Sequence, residues 1–129
     1  MPNLRLHHVS LLVADTAVAV DFYQRLLGLS PIERPDLGFP GAWFGVAGQQ
    51  LHLLELPNPD PARGRPPHGG RDRHTAFLVD DLAAIEARLE QRGIPFTRSR
   101  SGRAAIFCRD PDGNGVELIA EPAHRPDPA

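Results

Sequence analysis

Four side chains of the kinds that bind metal ions occupy matching positions in the two halves of this sequence. His8 and His52 lie 44 residues apart in the first half, and His74 and Glu117 lie 43 residues apart in the second. Imidazole and carboxylate donors together suit a divalent ion such as Fe(II), Mn(II), Ni(II), Co(II) or Zn(II). The pattern therefore predicts one site for a divalent metal, assembled where two copies of a module meet.

The four candidates belong to a longer internal repeat. His8-Val-Ser-Leu-Leu-Val-Ala-Asp15 matches His74-Thr-Ala-Phe-Leu-Val-Asp-Asp81, and Gln50-Leu-His52-Leu-Leu-Glu-Leu-Pro57 matches Gly115-Val-Glu117-Leu-Ile-Ala-Glu-Pro122. Each copy of such a repeat is one structural unit that needs its neighbour to bury its apolar face. We expect module one at 4–57, a linker rich in Pro, Gly and Arg at 58–72, module two at 73–122 and a tail at 123–129.

Hydrophobic patterning predicts the order βαβββ in both modules. In module one the predicted elements are a strand at Leu4–Val13, a helix capped by Thr16 and ended by Gly28, and strands at Leu29–Arg34, Ala42–Val46 and Leu51–Leu56, with a tight turn at Gly48-Gln49. In module two they are a strand at Thr75–Val79, a helix from Leu82 that ends at Gly93, and strands at Pro95–Arg100, Ala104–Cys108 and Val116–Ala120. The fold class is therefore α+β, with two curved mixed sheets around a cavity.

The alternation of side chains along each strand predicts that all four candidates point away from the helices. Side chains alternate between the two faces of a strand. The apolar residues that can cover the helices are Val9, Leu11, Val13, Thr75, Phe77, Val79, Leu51, Leu53, Val116 and Leu118. His8, His52, His74 and Glu117 then point to the opposite, concave face. His7 has the other parity and no counterpart at position 73, so it is not expected to be a ligand.

Composition excludes several kinds of chemistry. The chain has 129 residues, a net charge of −2, one cysteine, and 14 basic residues that are all Arg. Lysine chemistry, an intrachain disulfide and a thiolate zinc cluster are therefore impossible. No basic surface predicts nucleic-acid binding, and no apolar run is long enough to span a membrane. We expect a single domain in the cytoplasm that acts on a small molecule.

The same segments resemble those of a known superfamily. The helix Asp21-Phe-Tyr-Gln-Arg-Leu-Leu-Gly28 and the turn Arg109-Asp-Pro-Asp-Gly-Asn-Gly-Val-Glu-Leu118, together with the repeated strands, are similar to the vicinal oxygen chelate superfamily. This superfamily contains glyoxalase I, methylmalonyl-CoA epimerase, extradiol dioxygenases, and fosfomycin and bleomycin resistance proteins. The resemblance implies a glyoxalase-like domain of two βαβββ modules that binds a divalent metal.

The resemblance also implies roles for the four candidates. His8, His52, His74 and Glu117 match positions from which the superfamily takes metal ligands, and His52 and Glu117 are the candidates for proton transfer. The leading expectation is a lyase or isomerase in which the metal stabilises an enolate or other oxyanion. The alternatives are a dioxygenase with two histidines and one carboxylate on iron, and a binding protein without turnover, like the bleomycin resistance proteins. Small chains of the superfamily commonly pair, so we expect a homodimer.

The sequence also predicts where several other polar and aromatic residues lie. Asp15 and Asp81 are expected at strand ends or helix caps, and Cys108 in the core. Glu55 and Glu121 have the wrong parity for the cavity and are expected to face solvent. Trp43 and Phe44 have opposite parity, so only one of them can face the pocket, and the sequence leaves that choice open. The linker arginines 63, 65, 71 and 73 and His68 could contact an anion if the linker folds over the pocket.

Overall fold

A computed structural model describes residues 3–60 and 62–122, and it contains eight strands and two α-helices in this part of the chain. In order they are β1 (His8–Val13), α1 (Thr16–Val20), β2 (Ser30–Ile32), β3 (Gly41–Val46), β4 (Gln49–Glu55), β5 (His74–Val79), α2 (Leu82–Gln91), β6 (Thr97–Arg98), β7 (Ala105–Arg109) and β8 (Gly115–Ala120). A π-helical segment (Asp21–Leu26) continues α1, and a 3₁₀ turn (Gly69–Arg71) precedes β5. The predicted tail at 123–129 lies outside the described residues.

Each half of the chain forms a four-stranded mixed sheet, with strand orders β1-β4-β3-β2 and β5-β8-β7-β6. In both sheets the first strand is parallel to the last strand of its module, and the middle hairpins are antiparallel. The prediction of an α+β fold built from two βαβββ modules is confirmed. No helix within 3–60 and 62–122 is long and apolar enough to cross a membrane.

The chain divides into two compact units. One contains the described residues up to Pro67 together with Arg109–Asn114, and the other contains His68–Cys108 and the described residues from Gly115 onward. In the first unit Phe22, Tyr23 and Leu26 are buried, as are Leu51 and Leu53 of β4, and α1 contacts β4. In the second unit the buried core includes Ile85, Leu89, Val116 and Leu118, with α2 against β8. Burying each such side chain contributes about 1.5–3 kcal/mol, which fixes the helix-facing side of both sheets.

The start of α1 differs from the sequence prediction. The N-cap is Asp15 rather than Thr16, because the Asp15 carboxylate accepts hydrogen bonds from the backbone N–H of Ala17 and Val18. Glu55 was expected to face solvent, and this was wrong. Its Oε1 accepts the backbone N–H of Thr16 at 2.8 Å, so this carboxylate is half-buried at the N-terminus of α1. Negative charge at a helix N-terminus is stabilising because unpaired N–H groups gather there.

The hairpin between β3 and β4 also differs by one residue from the prediction. The two turn residues are Ala47 and Gly48, with φ angles of 48° and 85°, and not Gly48 and Gln49. Two residues of positive φ are typical of a type I′ turn, whose twist suits a tight hairpin. This turn pairs Val46 with Gln49 and therefore pairs Trp43 with His52. Two strands are shorter than predicted. The strand β1 begins at His8 rather than Leu4, and β6 covers only Thr97–Arg98.

Candidate metal centre

The second unit brings His74 and Glu117 together on the face of its sheet opposite the core residues Val116 and Leu118. His74 begins β5, where the burial pattern alternates so that His74, Ala76 and Leu78 are the exposed positions. Glu117 lies on the neighbouring strand β8 and is only 3% exposed. The Nε2 atom of His74 is 3.2 Å from the Oε1 atom of Glu117. This arrangement agrees with the predicted parity of β5 and β8.

Hydrogen bonding determines which nitrogen of His74 faces Glu117. The Nδ1 atom is 2.8 Å from the backbone carbonyl oxygen of Asp72. A carbonyl can only accept, so Nδ1 carries a proton and Nε2 presents its lone pair in the neutral imidazole. Two lone pairs, on Nε2 and on the Glu117 carboxylate, then face each other at close range. Such a contact is favourable only when a cation, either a proton or a metal ion, lies between them.

The geometry of this pair fits a metal ion. Donors at about 2.1 Å from one ion and 3.2 Å apart subtend about 100°, which is close to tetrahedral or octahedral angles. The second carboxylate oxygen, Oε2 of Glu117, is buried and has no hydrogen-bond partner. The nearest guanidinium nitrogen of Arg103 is 3.9 Å away, too far for a hydrogen bond. An orphaned buried carboxylate oxygen is costly unless a cation satisfies it, so the donor set suits a divalent ion.

The first unit places His8 and His52 together in an aromatic stack. The imidazole of His52 lies between His8, at a centroid distance of 4.2 Å, and Trp43, at 4.1 Å. His52 is 7% exposed, on the face opposite the core residues Leu51 and Leu53. The register explains the contact, since Trp43 is the cross-strand partner of His52. Trp43 is therefore the aromatic residue on the site face, and Phe44 is fully buried in the core.

Neighbouring side chains orient the two imidazoles of the first unit. The Nε2 atom of His52 is 2.7 Å from Oε1 of Gln50, so Nε2 donates and Nδ1 keeps a lone pair. The Nδ1 atoms of His7 and His8 are 2.9 Å apart, and one of them must carry the proton. His7 thus orients His8 through Nδ1. Burial is the largest cause that lowers the pKa of His52 below 6.5, and the His8 and His7 imidazoles lower it further.

The two pairs occupy equivalent positions in the register of their sheets. His8 pairs with Gln50, two residues before His52, and His74 pairs with Gly115, two residues before Glu117. Each unit therefore presents two donors of the same strand geometry. No group of three or more His, Cys, Asp or Glu side chains that could hold a metal occurs within 3–60 and 62–122. The convergence of all four candidates on one ion stays a prediction.

An apolar cavity in the second unit lies beside Arg103, whose guanidinium is 3.9 Å from the Glu117 carboxylate. It has a volume of about 540 Å³ and is lined by Leu78, Arg103, Ala104, Ile119, Ala120, Glu121 and Pro122. Leu78 is 65% exposed on the same face of β5 as His74, and Ile119 shares a face of β8 with Glu117. Arg103 lines the cavity and also lies beside Glu117. This cavity could hold a small molecule with an apolar body and an anionic group.

A larger cavity in the first unit, about 900 Å³, lies where β1 and β4 end. Carboxylates line it, and those of Glu55, Asp110 and Asp112 already accept hydrogen bonds from the protein. Asp110 is buried and accepts from Tyr23, Asn114 and Asp112. Burial raises the pKa of Asp110, while these hydrogen bonds oppose the increase. These carboxylates hold turns and a helix end in place, so we do not assign substrate to this cavity.

Sequence reasoning missed several residues around the candidates. Phe107 of β7 has its ring 5.1 Å from that of His74, and Arg103 approaches Glu117. Alternation along β7 could have placed Phe107 on the same face as Glu117. The linker residue His68 also contacts Phe107. No pattern in the sequence predicts that contact, because the two residues are distant along the chain. The two units thus contain the four predicted donors and an aromatic wall beside each pair.

Comparison with known proteins gives consistent matches over most of the chain. The model of the Glyoxalase/Bleomycin resistance protein/Dioxygenase superfamily matches residues 5–118. Glyoxylase I 4 of Arabidopsis thaliana is 34% identical over 119 residues, which cover 88% of this chain and 68% of that protein. The glutathione transferase FosA of Serratia marcescens is 32% identical over 117 residues, covering 88% and 78%. Among solved structures, a glyoxalase/dioxygenase from Nostoc punctiforme has a TM-score of 0.73 at 26% identity, covering 92% and 91%.

Proposed function

Because the chain belongs to the Glyoxalase/Bleomycin resistance protein/Dioxygenase superfamily, we propose that it is a metal-dependent enzyme for a small molecule, of the lyase or isomerase type. The observation that carries this proposal is the buried Glu117 carboxylate. One of its oxygens has no hydrogen bond, and the other faces Nε2 of His74 at 3.2 Å. A protein that only bound an apolar drug would gain nothing from an unsatisfied buried carboxylate.

The candidate residues have separate roles in the proposed reaction. A divalent ion, when bound, supplies Lewis-acid stabilisation of the oxyanion that forms on the substrate. His8, His74 and Glu117 would hold that ion. His52 would accept or return the proton on the carbon next to the substrate carbonyl, because its lowered pKa keeps the imidazole neutral and Nδ1 keeps its lone pair. Trp43 and His8 fix the plane of that ring by stacking.

The cavity beside Arg103 supports a proposal for the class of substrate. Its walls at Leu78 and Ile119 are apolar, and Arg103 is the cation among its lining residues. A guanidinium binds a carboxylate or phosphate through paired N–H groups. We propose a substrate with an oxygen-bearing reactive carbon, a small apolar body and an anionic group.

Elemental analysis of the purified protein tests the proposal directly. We expect close to one divalent ion for each set of His8, His74 and Glu117, and its loss when Glu117→Gln is introduced. Turnover is then sought with small 2-oxo and 2-hydroxy acids and with glutathione adducts of 2-oxoaldehydes. Oxygen uptake with catechols would instead favour the dioxygenase alternative. Tight binding of an aromatic drug by metal-free protein without turnover would favour the binding protein.

We also propose that the chain works as a homodimer in which the two donor pairs complete each other. Each unit alone contributes two donors, and a stable divalent site needs at least three protein ligands. The second pair can come from the other module of the same chain or from a partner chain. Light scattering at micromolar concentration should give twice the mass of the chain. A monomeric mass together with full metal content would contradict the dimer and leave the metal site intact.

A further inference from the structure

A short segment just before β5 lies against the sheet of the second unit. We call residues His68–Asp72 the strap. At its start, Nδ1 of His68 is 2.7 Å from the hydroxyl of Thr97. The His68 ring meets Phe107 in a T-shaped contact with centroids 5.0 Å apart. Thr97 and Phe107 are cross-strand partners in β6 and β7, so His68 is held by two adjacent side chains of one sheet.

Two glycines allow the strap to lie this close to the sheet. A Cβ atom added at Gly69 would be 3.1 Å from Cβ of Phe107. One added at Gly70 would be 2.8 Å from Nε2 of His68 and 3.2 Å from Cζ of Phe107. Any larger residue must therefore lift the strap from Phe107 or displace His68. The close contact depends on His68, Gly69 and Gly70 together.

Backbone hydrogen bonds connect the anchored start of the strap to its end. The N–H of Arg71 donates to the carbonyl of His68 at 3.0 Å, and the N–H of Asp72 donates to that of Gly69 at 3.1 Å. These bonds close the 3₁₀ turn and set the direction of the Asp72 carbonyl. That carbonyl accepts from Nδ1 of His74 at 2.8 Å. One helical turn thus connects His68 to the carbonyl group that accepts the hydrogen bond from Nδ1 of His74.

We propose that His68 is a positioning residue for His74. By holding the strap on Thr97 and Phe107, it keeps the Asp72 carbonyl where it selects the Nδ1–H tautomer and leaves the Nε2 lone pair towards Glu117. Phe107 adds a second constraint, because its ring contacts both His68 and His74. The metal-binding consequence rests on the function proposed above, whereas the effect on the tautomer does not. Partners of this kind orient a ligand and increase its affinity for the ion.

The first test uses metal-free protein labelled with ¹⁵N at histidine. Long-range ¹H–¹⁵N correlation distinguishes protonated from unprotonated ring nitrogens. We expect His74 to carry a proton on Nδ1 in the wild type, and Nδ1 to be partly unprotonated, with the proton on Nε2, in His68→Ala. Thr97→Val should have the same effect, because it removes the hydroxyl and keeps the shape, and Thr97→Ser should restore the wild-type spectrum. Arg25→Gln, which changes an exposed side chain of the first unit, is the control and should leave the His74 signals unchanged.

The second test measures affinity for Co²⁺ or Ni²⁺ by competition with a chelator. Loss of an outer partner weakens metal binding by roughly 10- to 100-fold, and we expect about tenfold for His68→Ala and for Thr97→Val. A wild-type His74 in the Nε2–H form overturns the proposal. An unchanged His74 tautomer in folded Thr97→Val also overturns the proposal. This variant provides the test if His68→Ala does not fold. A wild type that binds no metal but shows the expected tautomers would refute the proposed function and support the strap.

Discussion

The imidazole of His52 lies parallel to the indole of Trp43, with an interplanar angle of 6° and a centroid distance of 4.1 Å. With His8 stacked on its other face, the ring is held in one plane and shielded from water. Stacked aromatic rings contribute about 0.5–1.5 kcal/mol beyond the area they bury. The same shielding disfavours the imidazolium, which needs water or an anion to stabilise its charge.

This environment predicts a pH dependence of folding stability in the metal-free protein. The pKa of His52 is lowered in the folded state below 6.5, so the unfolded chain binds the proton more tightly. The free energy of unfolding should therefore be fully retained above pH 6.5 and should fall as pH decreases through the folded pKa. Urea unfolding between pH 5 and 8, with chelator present, measures it. His52→Gln should flatten this part of the curve, and an unchanged slope would contradict the assignment.

Metal content should distinguish the four candidate ligands. Glu117→Gln and His74→Ala should weaken metal binding by more than about a hundredfold. Removing a direct ligand costs more affinity than removing a residue that only orients a ligand. His52→Ala should retain more metal and lose turnover, since water can fill a vacant position while the proton-transfer group is gone. Plasma emission spectroscopy of the purified variants provides the measurement. Glu121→Gln, an exposed carboxylate close by in the sequence, is the control and should retain its metal. If His52→Ala is as metal-free as Glu117→Gln, the catalytic role of His52 is wrong.

The β3–β4 turn offers a stabilising substitution. Ala47 has a φ of 48°, where an alanine is strained by about 1 kcal/mol. Ala47→Asn should raise the free energy of unfolding by about 0.5–1 kcal/mol, because Asn-Gly is the preferred pair for a type I′ turn. Thermal unfolding should show an increase of about 2–5 °C in Tm. Ala47→Val, which tolerates positive φ poorly, should lower the Tm.

A buried hydrogen bond predicts a destabilising substitution in the first unit. The hydroxyl of Tyr23 donates to Oδ2 of Asp110 at 2.7 Å, and both residues are buried. Tyr23→Phe removes one donor from a buried carboxyl group and should cost about 1–3 kcal/mol of stability. Urea unfolding compares it with Phe22→Leu, which changes the neighbouring core without touching Asp110. A Tyr23→Phe protein as stable as the wild type would show that water replaces the phenol.

Strand alternation was the part of the site that the sequence could predict. A period of two residues places Glu117 opposite Val116 and Leu118 without knowledge of any neighbour. The repeat then transfers the same argument from His8 and His52 to the second module. The side-chain directions of His74 and Glu117 were therefore accessible from apolar patterning alone.

Two errors had local causes that composition does not reveal. A helix start at Asp15 or Thr16 depends on which side chain reaches the free N–H groups, and both residues are good N-caps. The hairpin turn was placed one residue late because Ala47 gives no sign of positive φ. The predicted turn would make Gly45 instead of Trp43 the cross-strand partner of His52, although Trp43 would stay on the same face as His52. The turn thus fixes which residues are cross-strand partners, and a one-residue error in its position moves each partner by two residues along β4.

Contacts between distant segments were not predictable at all. His68 and Thr97 are 29 positions apart, and neither belongs to a motif that specifies the other. Their hydrogen bond depends on how the linker enters β5 and on the two glycines that allow the close contact. Such information is contained in three-dimensional packing and not in local patterns.

The equivalent register of the two donor pairs also bears on how the chain can be reconnected. Each pair is made by neighbouring parallel strands of a single module, so neither depends on which module comes first along the polypeptide. A circular permutant that begins at His68 and ends at Pro67, with the original termini joined by a flexible peptide, should keep both pairs. The geometry of each donor pair therefore does not depend on which module is synthesised first.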